Sequence, residues 1–325
     1  MTGDRHPSTA PRSHAGGHGH EHGHGGHPPA VSAASDRRYL WTALGLLSAF
    51  LVAEVVVALL ADSLALLSDA GHMLADVGAL AGALWVIRLA ARPPSGKWTF
   101  GWKRAEILSA AGNGITLLVV SGIVAVEAIR RLIHPPEVAG LPVLVMAAAG
   151  IAVNVAAAWA LARANRSSLN VEGAFQHILT DLYGFVGTLV AGLIILVTGW
   201  TRADSLASLL VVGLMLRAAW GLLRDSGRIL LQAAPENIDL VRLRDHLTGV
   251  AHVHDVHDLH VWTVTSGLPT LSVHLVVDDD CFHDGHVPRL LDEVQSCLTG
   301  HFDVAHSTFQ FEPSAHAAHE RETHT

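Results

Sequence analysis

Residues 66–90 read LLSDAGHMLADVGALAGALWVIRLA, and residues 174–198 read AFQHILTDLYGFVGTLVAGLIILVT. Each stretch is about as long as an α-helix needs to be to cross the apolar core of a bilayer. Each also carries the pattern His-x-x-x-Asp, as His72 with Asp76 and His177 with Asp181. Four more apolar blocks lie around them, at 39–61, 106–130, 141–163 and 203–223. Six membrane-spanning helices are therefore predicted. Only 15% of the 325 residues are charged and 50% are hydrophobic, a balance that excludes an ordinary soluble globule of this size.

From about residue 235 the composition returns to that of a soluble domain. A helix is expected over 237–249, strands over 253–264 and 270–277, a second helix over 286–299 and a strand over 304–312. That order, αββαβ, describes a small two-layer α+β domain resembling a metallochaperone. The predicted organisation has four parts. Residues 1–35 are a disordered tail, 36–234 a six-helix membrane domain, 235–313 a soluble domain, and 314–325 a second disordered tail. The first tail includes GHGHEHGHGGH, which is too polar to bury a core. Its imidazoles suit the capture of borderline cations, against the plainer reading of a flexible end with no role.

The paired prolines at 93–94 and 135–136 stop the helices before them. Cys281 and Cys297 are the only cysteines and both fall in the soluble part, which fits a reducing compartment. The polar first thirty-odd residues do not read as a signal peptide. A net charge of −8, with no basic stripe among aromatics, gives no reason to expect a nucleic-acid partner. Basic residues gather before the first block, around the second connection, after the fourth block and at the end of the sixth. The positive-inside rule then puts both termini in the cytoplasm, with only Arg130, Arg131 and Arg202 on the opposite side.

Ionisable groups inside a membrane are costly, and where they occur they usually face an interior path. Residues i and i+4 share one face of a helix, so each His-x-x-x-Asp pair can grip one ion. Two such helices facing each other offer two imidazole nitrogens and two carboxylate oxygens, which suits tetrahedral Zn²⁺. The plain alternative is two unrelated polar pairs, each hydrogen-bonded within the bundle. The repetition of the spacing in two separate spans favours the cation. Two buried carboxylates need neutralising, and one divalent cation or two protons would do it equally well. Because ligands must lose protons to bind metal, exchange of cation for protons follows as the expected mechanism. Asp69, one turn before His72, is placed to support that ring. Asn113 and Asn154 read as amides bridging helices.

SLALLSDAGHMLAD, NVEGAFQHILTD, FGWKRAE, AGNGITLL and VHDLHVWTVTSGLPTLSVH are together similar to the cation diffusion facilitator family, most of all to its bacterial zinc-exporting members. The resemblance covers about 36–313. It implies a homodimer in the inner membrane, with cytoplasmic domains paired below the bilayer, working by metal–proton antiport and alternating access. It also implies that His72, Asp76, His177 and Asp181 hold the transported Zn²⁺, with Cd²⁺ or Co²⁺ as further cargo. His257, His274, His286 and Glu312 match positions where members hold a regulatory ion. Strand alternation puts His257 with Asp255 on one face and His254, Asp258 and His260 on the other.

Two departures from the family pattern stand out. The connection PPSGKWTFGWKR has no His, so no site is expected there, and Gln310 replaces a second tail histidine found in some members. An intramembrane metalloenzyme is disfavoured because no His-Glu-x-x-His occurs and four side-chain ligands leave no open position. A passive channel or sensor remains as the other class, separable by whether flux responds to a pH gradient.

Overall fold

The computed structural model describes residues 29–60, 64–134, 140–164, 168–283, 285–304 and 306–317. The side chains of residues 29–36, 64–69, 71, 72, 75, 140–143 and 317 fall outside that description. So do residues 1–28, with most of the expected metal-capturing tail, and residues 318–325.

Six long helices account for the apolar blocks. They are α1 (Pro29–Leu60), α2 (Leu64–Ala90), α3 (Ala105–Ile133), α4 (Gly140–Leu161), α5 (Leu169–Thr198) and α6 (Ala203–Leu230). Five of them, all but α2, contain a stretch long and apolar enough to span a membrane among the described residues. α1 begins ten residues before its apolar block and α6 runs seven residues past its own, because helix boundaries follow backbone hydrogen bonding rather than hydropathy. The helices are apolar on nearly every side. Trp85, Leu196, Val197, Leu210 and Trp220 all lie exposed, as side chains facing lipid must.

The bundle packs α1 against α2 and α4, α4 against α5, α3 along α6, and α5 against both α3 and α6. Two glycines let the α4–α5 contact close. A Cβ on Gly150 of α4 would sit 2.6 Å from the Phe185 ring of α5, and one on Gly192 would sit 2.6 Å from Leu144. α5 is capped at its start by Ser168, whose hydroxyl accepts from the Val171 amide. It ends on Gly199 at φ 67, the left-handed conformation that terminates helices.

The soluble part follows the expected order: α7 (Leu240–Thr248), β1 (Val253–Thr263), β2 (Pro269–Val277), α8 (Val287–Phe302) and β3 (His306–Pro313). A 3₁₀ turn at Asp279–Phe282 and a short α9 (Ser314–Ala317) are additions. β1 and β2 form an antiparallel hairpin, and β3 returns parallel to β2 after the α8 crossover. Leu243 and Leu247 of α7 and Leu290, Val294 and Leu298 of α8 bury against Leu271, Val273, Leu275 and Val277 of β2. Both helices thus cover one face of the sheet, and the even-numbered β2 residues, His274 among them, point to the other.

The alternation expected along β1 fails. The register steps between Val253 and Asp255 and again between His257 and His260, each step accommodating one extra residue as a β-bulge. Asp258 adopts φ 48 within the second bulge, a conformation that Asp tolerates better than most residues. Its carboxylate is thereby brought to 3.7 Å from His274, toward the side from which strict alternation would have excluded it.

Candidate metal centre

Two helices set the membrane site. α5 carries His177 and Asp181 one turn apart, and α2 carries Asp76, with His72 four residues earlier in the same helix. The side chain of His72 lies outside the described residues. Ligand atoms from Asp76, His177 and Asp181 fall within 4.8 Å of one another. All three line one cavity of about 220 Å³, together with Thr180, Phe185 and Met215. His177 is buried and its Nε2 meets Asp76 Oδ1 directly across the α2–α5 contact, while its Nδ1 has no hydrogen-bond partner. An imidazole nitrogen and a carboxylate oxygen in contact hold one proton between them, whichever of the two is the donor.

Several contacts hold α5 in place for this. Asn170, buried near the start of α5, donates from Nδ2 to the Ala83 carbonyl of α2 at 3.1 Å. That bond joins the two ligand-bearing helices about two turns from His177. Asn113 of α3 stands beside the site, lining a small void with Asp76 and His177 and lying 3.3 Å from where a Gly173 Cβ would be. Asn154, expected to bridge helices, instead donates to the Gly150 carbonyl of its own helix at 3.0 Å.

Sequence patterns did not reveal how the soluble domain touches the bundle. Ser168 donates to Glu106 Oε1 at 2.6 Å, and Thr265, in the β1–β2 turn, donates to Glu106 Oε2. The Leu169 amide at the start of α5 donates to Ser266 Oγ at 3.1 Å. The hairpin tip therefore caps the helix that carries His177 and Asp181. Only the presence of a glutamate in the first turn of α3 and hydroxyl residues in the turn signalled it, and neither is specific.

In the soluble domain, His257, His274 and Glu312 come together. His274 Nδ1 lies 2.8 Å and His257 Nε2 3.3 Å from the carboxylate of Glu312, which is 1% exposed. The partners pair in register across the sheet, His257 opposite His274 and Val276 opposite Glu312. Gln310 donates to Glu312 Oε1 at 2.7 Å, so the residue at the departed histidine position supports the carboxylate. His286 does not join this group within one chain. Its ring packs against His252 with centroids 4.7 Å apart. His252 and His254 both bond to Asp278, at 2.9 Å for His252, and those two bonds hold the exposed carboxyl below its ordinary range.

Long lipid-facing helices around a buried imidazole–carboxylate cluster define a multi-pass membrane transporter of metal cations. The comparisons with known proteins agree, and the chain belongs to the cation efflux family. Residues 40–231 match the cation efflux transmembrane domain, and residues 235–314 match the cytoplasmic domain of cation efflux proteins. The zinc transporter ZitB of Escherichia coli is 40% identical over 90% of this chain and 92% of its own length. The efflux protein CzcD of Cupriavidus metallidurans is 39% identical over 91% of this chain and 90% of its own. A cadmium, cobalt and zinc/H⁺–K⁺ antiporter of Bacillus subtilis is 36% identical over 92% of this chain and 93% of its own. The family's members are transporters and not enzymes.

Proposed function

We propose that this chain exports Zn²⁺, with Cd²⁺ and Co²⁺ as further cargo, from the cytoplasm in exchange for protons, by alternating access around His72, Asp76, His177 and Asp181. The observation that carries this reading is the contact between His177 Nε2 and Asp76 Oδ1. The proton between those atoms occupies a position that a cation bound to both would take. Metal entering from the cytoplasm displaces protons, and protons entering from outside displace the metal. In each state the site's two carboxylates are neutralised, which a low-dielectric setting requires. The names of the relatives, which include zinc, cadmium and cobalt transport and H⁺–K⁺ antiport, support the choice of ions.

The transport domain on this reading is 36–234 and the cytoplasmic domain 235–313. The chain sits in the inner membrane as a homodimer, with both termini in the cytoplasm, where its basic residues concentrate. The segment 1–35 gathers metal near the entrance. His257, His274 and Glu312, with His286 as a further ligand, take a regulatory ion that biases the conformational balance without carrying flux. A ligand shifts such a balance only through its different affinity for the two states.

Expression in a zinc-sensitive bacterial strain tests the site. The unsubstituted chain should restore growth on zinc, and Asp76→Ala, at equal amounts in the membrane, should not. Restored growth by Asp76→Ala would remove the four-residue site from the reading.

A further inference from the structure

The helix layer of the cytoplasmic domain carries a second set of cation-ligating side chains, which export does not use. His246 stands in the last turn of α7, and Cys297 and His301 stand four residues apart on α8. One ligand atom from each, two imidazole nitrogens and one sulfur, lies within 4.8 Å of the others. The His246 and His301 rings meet edge to face with centroids 4.7 Å apart, and His246 also meets Phe302 at 5.6 Å.

Helix periodicity produces this arrangement. α8 buries Leu290, Val294 and Leu298 against the sheet, so 293, 297 and 301 form the next stripe round the helix. α7 buries Leu243 and Leu247, which leaves His246 beside that stripe. Glu293, Cys297 and His301 therefore run along one edge of α8, facing His246. Burial first, and the Glu293 carboxylate second, raise the Cys297 thiol above its ordinary pKa. His246 and His301 are exposed and Cys297 half-buried, so an ion reaches the group without opening the core.

We propose that His246, Cys297 and His301 bind a thiophilic divalent cation of the zinc and cadmium kind, with Glu293 or water completing a four-coordinate shell. Two imidazoles and one sulfur form a donor set that selects such ions over magnesium, calcium or manganese. On binding, the Cys297 thiol gives its proton to solvent and the sulfur bonds the metal. The ion ties the last turn of α7 to α8. It is separate from His257, His274 and Glu312, since α7 and α8 cover the face of β2 that His274 does not occupy.

Sulfur gives a readout that sets this group apart from the membrane site and the histidine-rich tail, and Cys281, which clusters with His252 and Asp278, is told apart by its own variant. Cys281 and Cys297 are the only thiols in the chain, so a thiolate-to-metal charge-transfer band cannot arise from the histidine-rich tail or the membrane site. Cd²⁺ or Co²⁺ titrated into the full-length chain in detergent should produce that band, with one metal per chain, in the unsubstituted protein and in Cys281→Ser. Cys297→Ser should lose it. His246→Ala and His301→Ala should each move its midpoint to about tenfold higher metal or more. Absence of the band, its survival in Cys297→Ser, or a midpoint unmoved by both histidine variants would overturn the proposal. Alkylation of Cys297 in the unsubstituted chain adds a check that needs no variant. Zinc should slow the reaction and magnesium should not, and equal rates with and without zinc would also overturn it. Neither readout depends on transport, so the two readings fail separately.

Discussion

Replacing Asp181 with Asn keeps the shape of the side chain and removes one of the site's two carboxylate charges. Asp181 shares the 220 Å³ cavity with Asp76 and His177, and its ligand atom is within 4.8 Å of theirs. With both carboxylates present, a divalent ion and its site sum to zero charge. With one, a net positive charge stays buried in a medium that solvates it poorly. Breaking a buried pair in this way costs about 3–5 kcal/mol, and each 1.4 kcal/mol or so is a factor of ten. Zinc should therefore bind Asp181→Asn at least two orders of magnitude more weakly. Folding should respond differently. The metal-free site loses one of two close carboxylates, so the variant should melt no earlier than the unsubstituted chain. The assay is the initial rate of zinc uptake into proteoliposomes across a wide zinc range, paired with thermal melting in detergent. A half-saturating zinc concentration unchanged in Asp181→Asn would refute the charge argument. Loss of transport together with early melting would show that Asp181 acts through the fold.

Three other outcomes follow from the same structure. His177→Asp should shift the ratio of manganese to zinc flux upward, since oxygen-rich sites suit harder ions, and an unchanged ratio in competition assays would put selection elsewhere. Gly150→Ala should lower thermal stability by about 1–3 kcal/mol. Its Cβ would fall 2.6 Å from the Phe185 ring, which Phe50 holds from another side and which lines the cavity, so unchanged melting and flux would contradict that packing. Hydrogen bonds from His252 and then His254 hold the Asp278 carboxyl below its ordinary value. Their stabilising effect is present above the ordinary carboxyl pKa and is lost as pH falls through the depressed one. Carboxyl titration by NMR should show Asp278 returning to an ordinary value in the His252→Ala, His254→Ala double variant, and identical curves would rule those bonds out as the cause.

The clustering of Asp76, His177 and Asp181 was legible because helix geometry is regular. Once two apolar stretches read as helices, i and i+4 must share a face, and His177 and Asp181 do so on α5. The elements of the cytoplasmic domain were legible for a similar reason, to within a few residues at each end. Asp239 marks why α7 starts later than the hydrophobic pattern implied: its carboxylate caps the helix, accepting from Val241 and Arg242. What sequence did not disclose depends on contacts between distant segments. The bulges of β1 are a partial exception: its apolar residues Val253, Val256, Leu259 and Val261 already depart from a period of two in the letters, although nothing in them says that Asp258 turns toward His274. Glu106 meets Thr265 from 159 positions away. His246 meets Cys297 and His301 only because two helices cover the same sheet face. Spacing along the chain carries no trace of either meeting.

The most direct test is whether cation and protons exchange at the one membrane site. Proteoliposomes with reporters for luminal zinc and luminal pH would receive zinc from the bath, with the lumen either more acidic than the bath or at equal pH. Zinc entry through chains whose cytoplasmic side faces the bath should be faster into the acidic lumen. Each entering ion should expel protons, so the luminal pH rises in step with luminal zinc. Both signals should vanish in Asp76→Ala. Zinc entry at one rate regardless of the pH gradient, with no change in luminal pH, would contradict proton exchange and leave a passive pathway in its place.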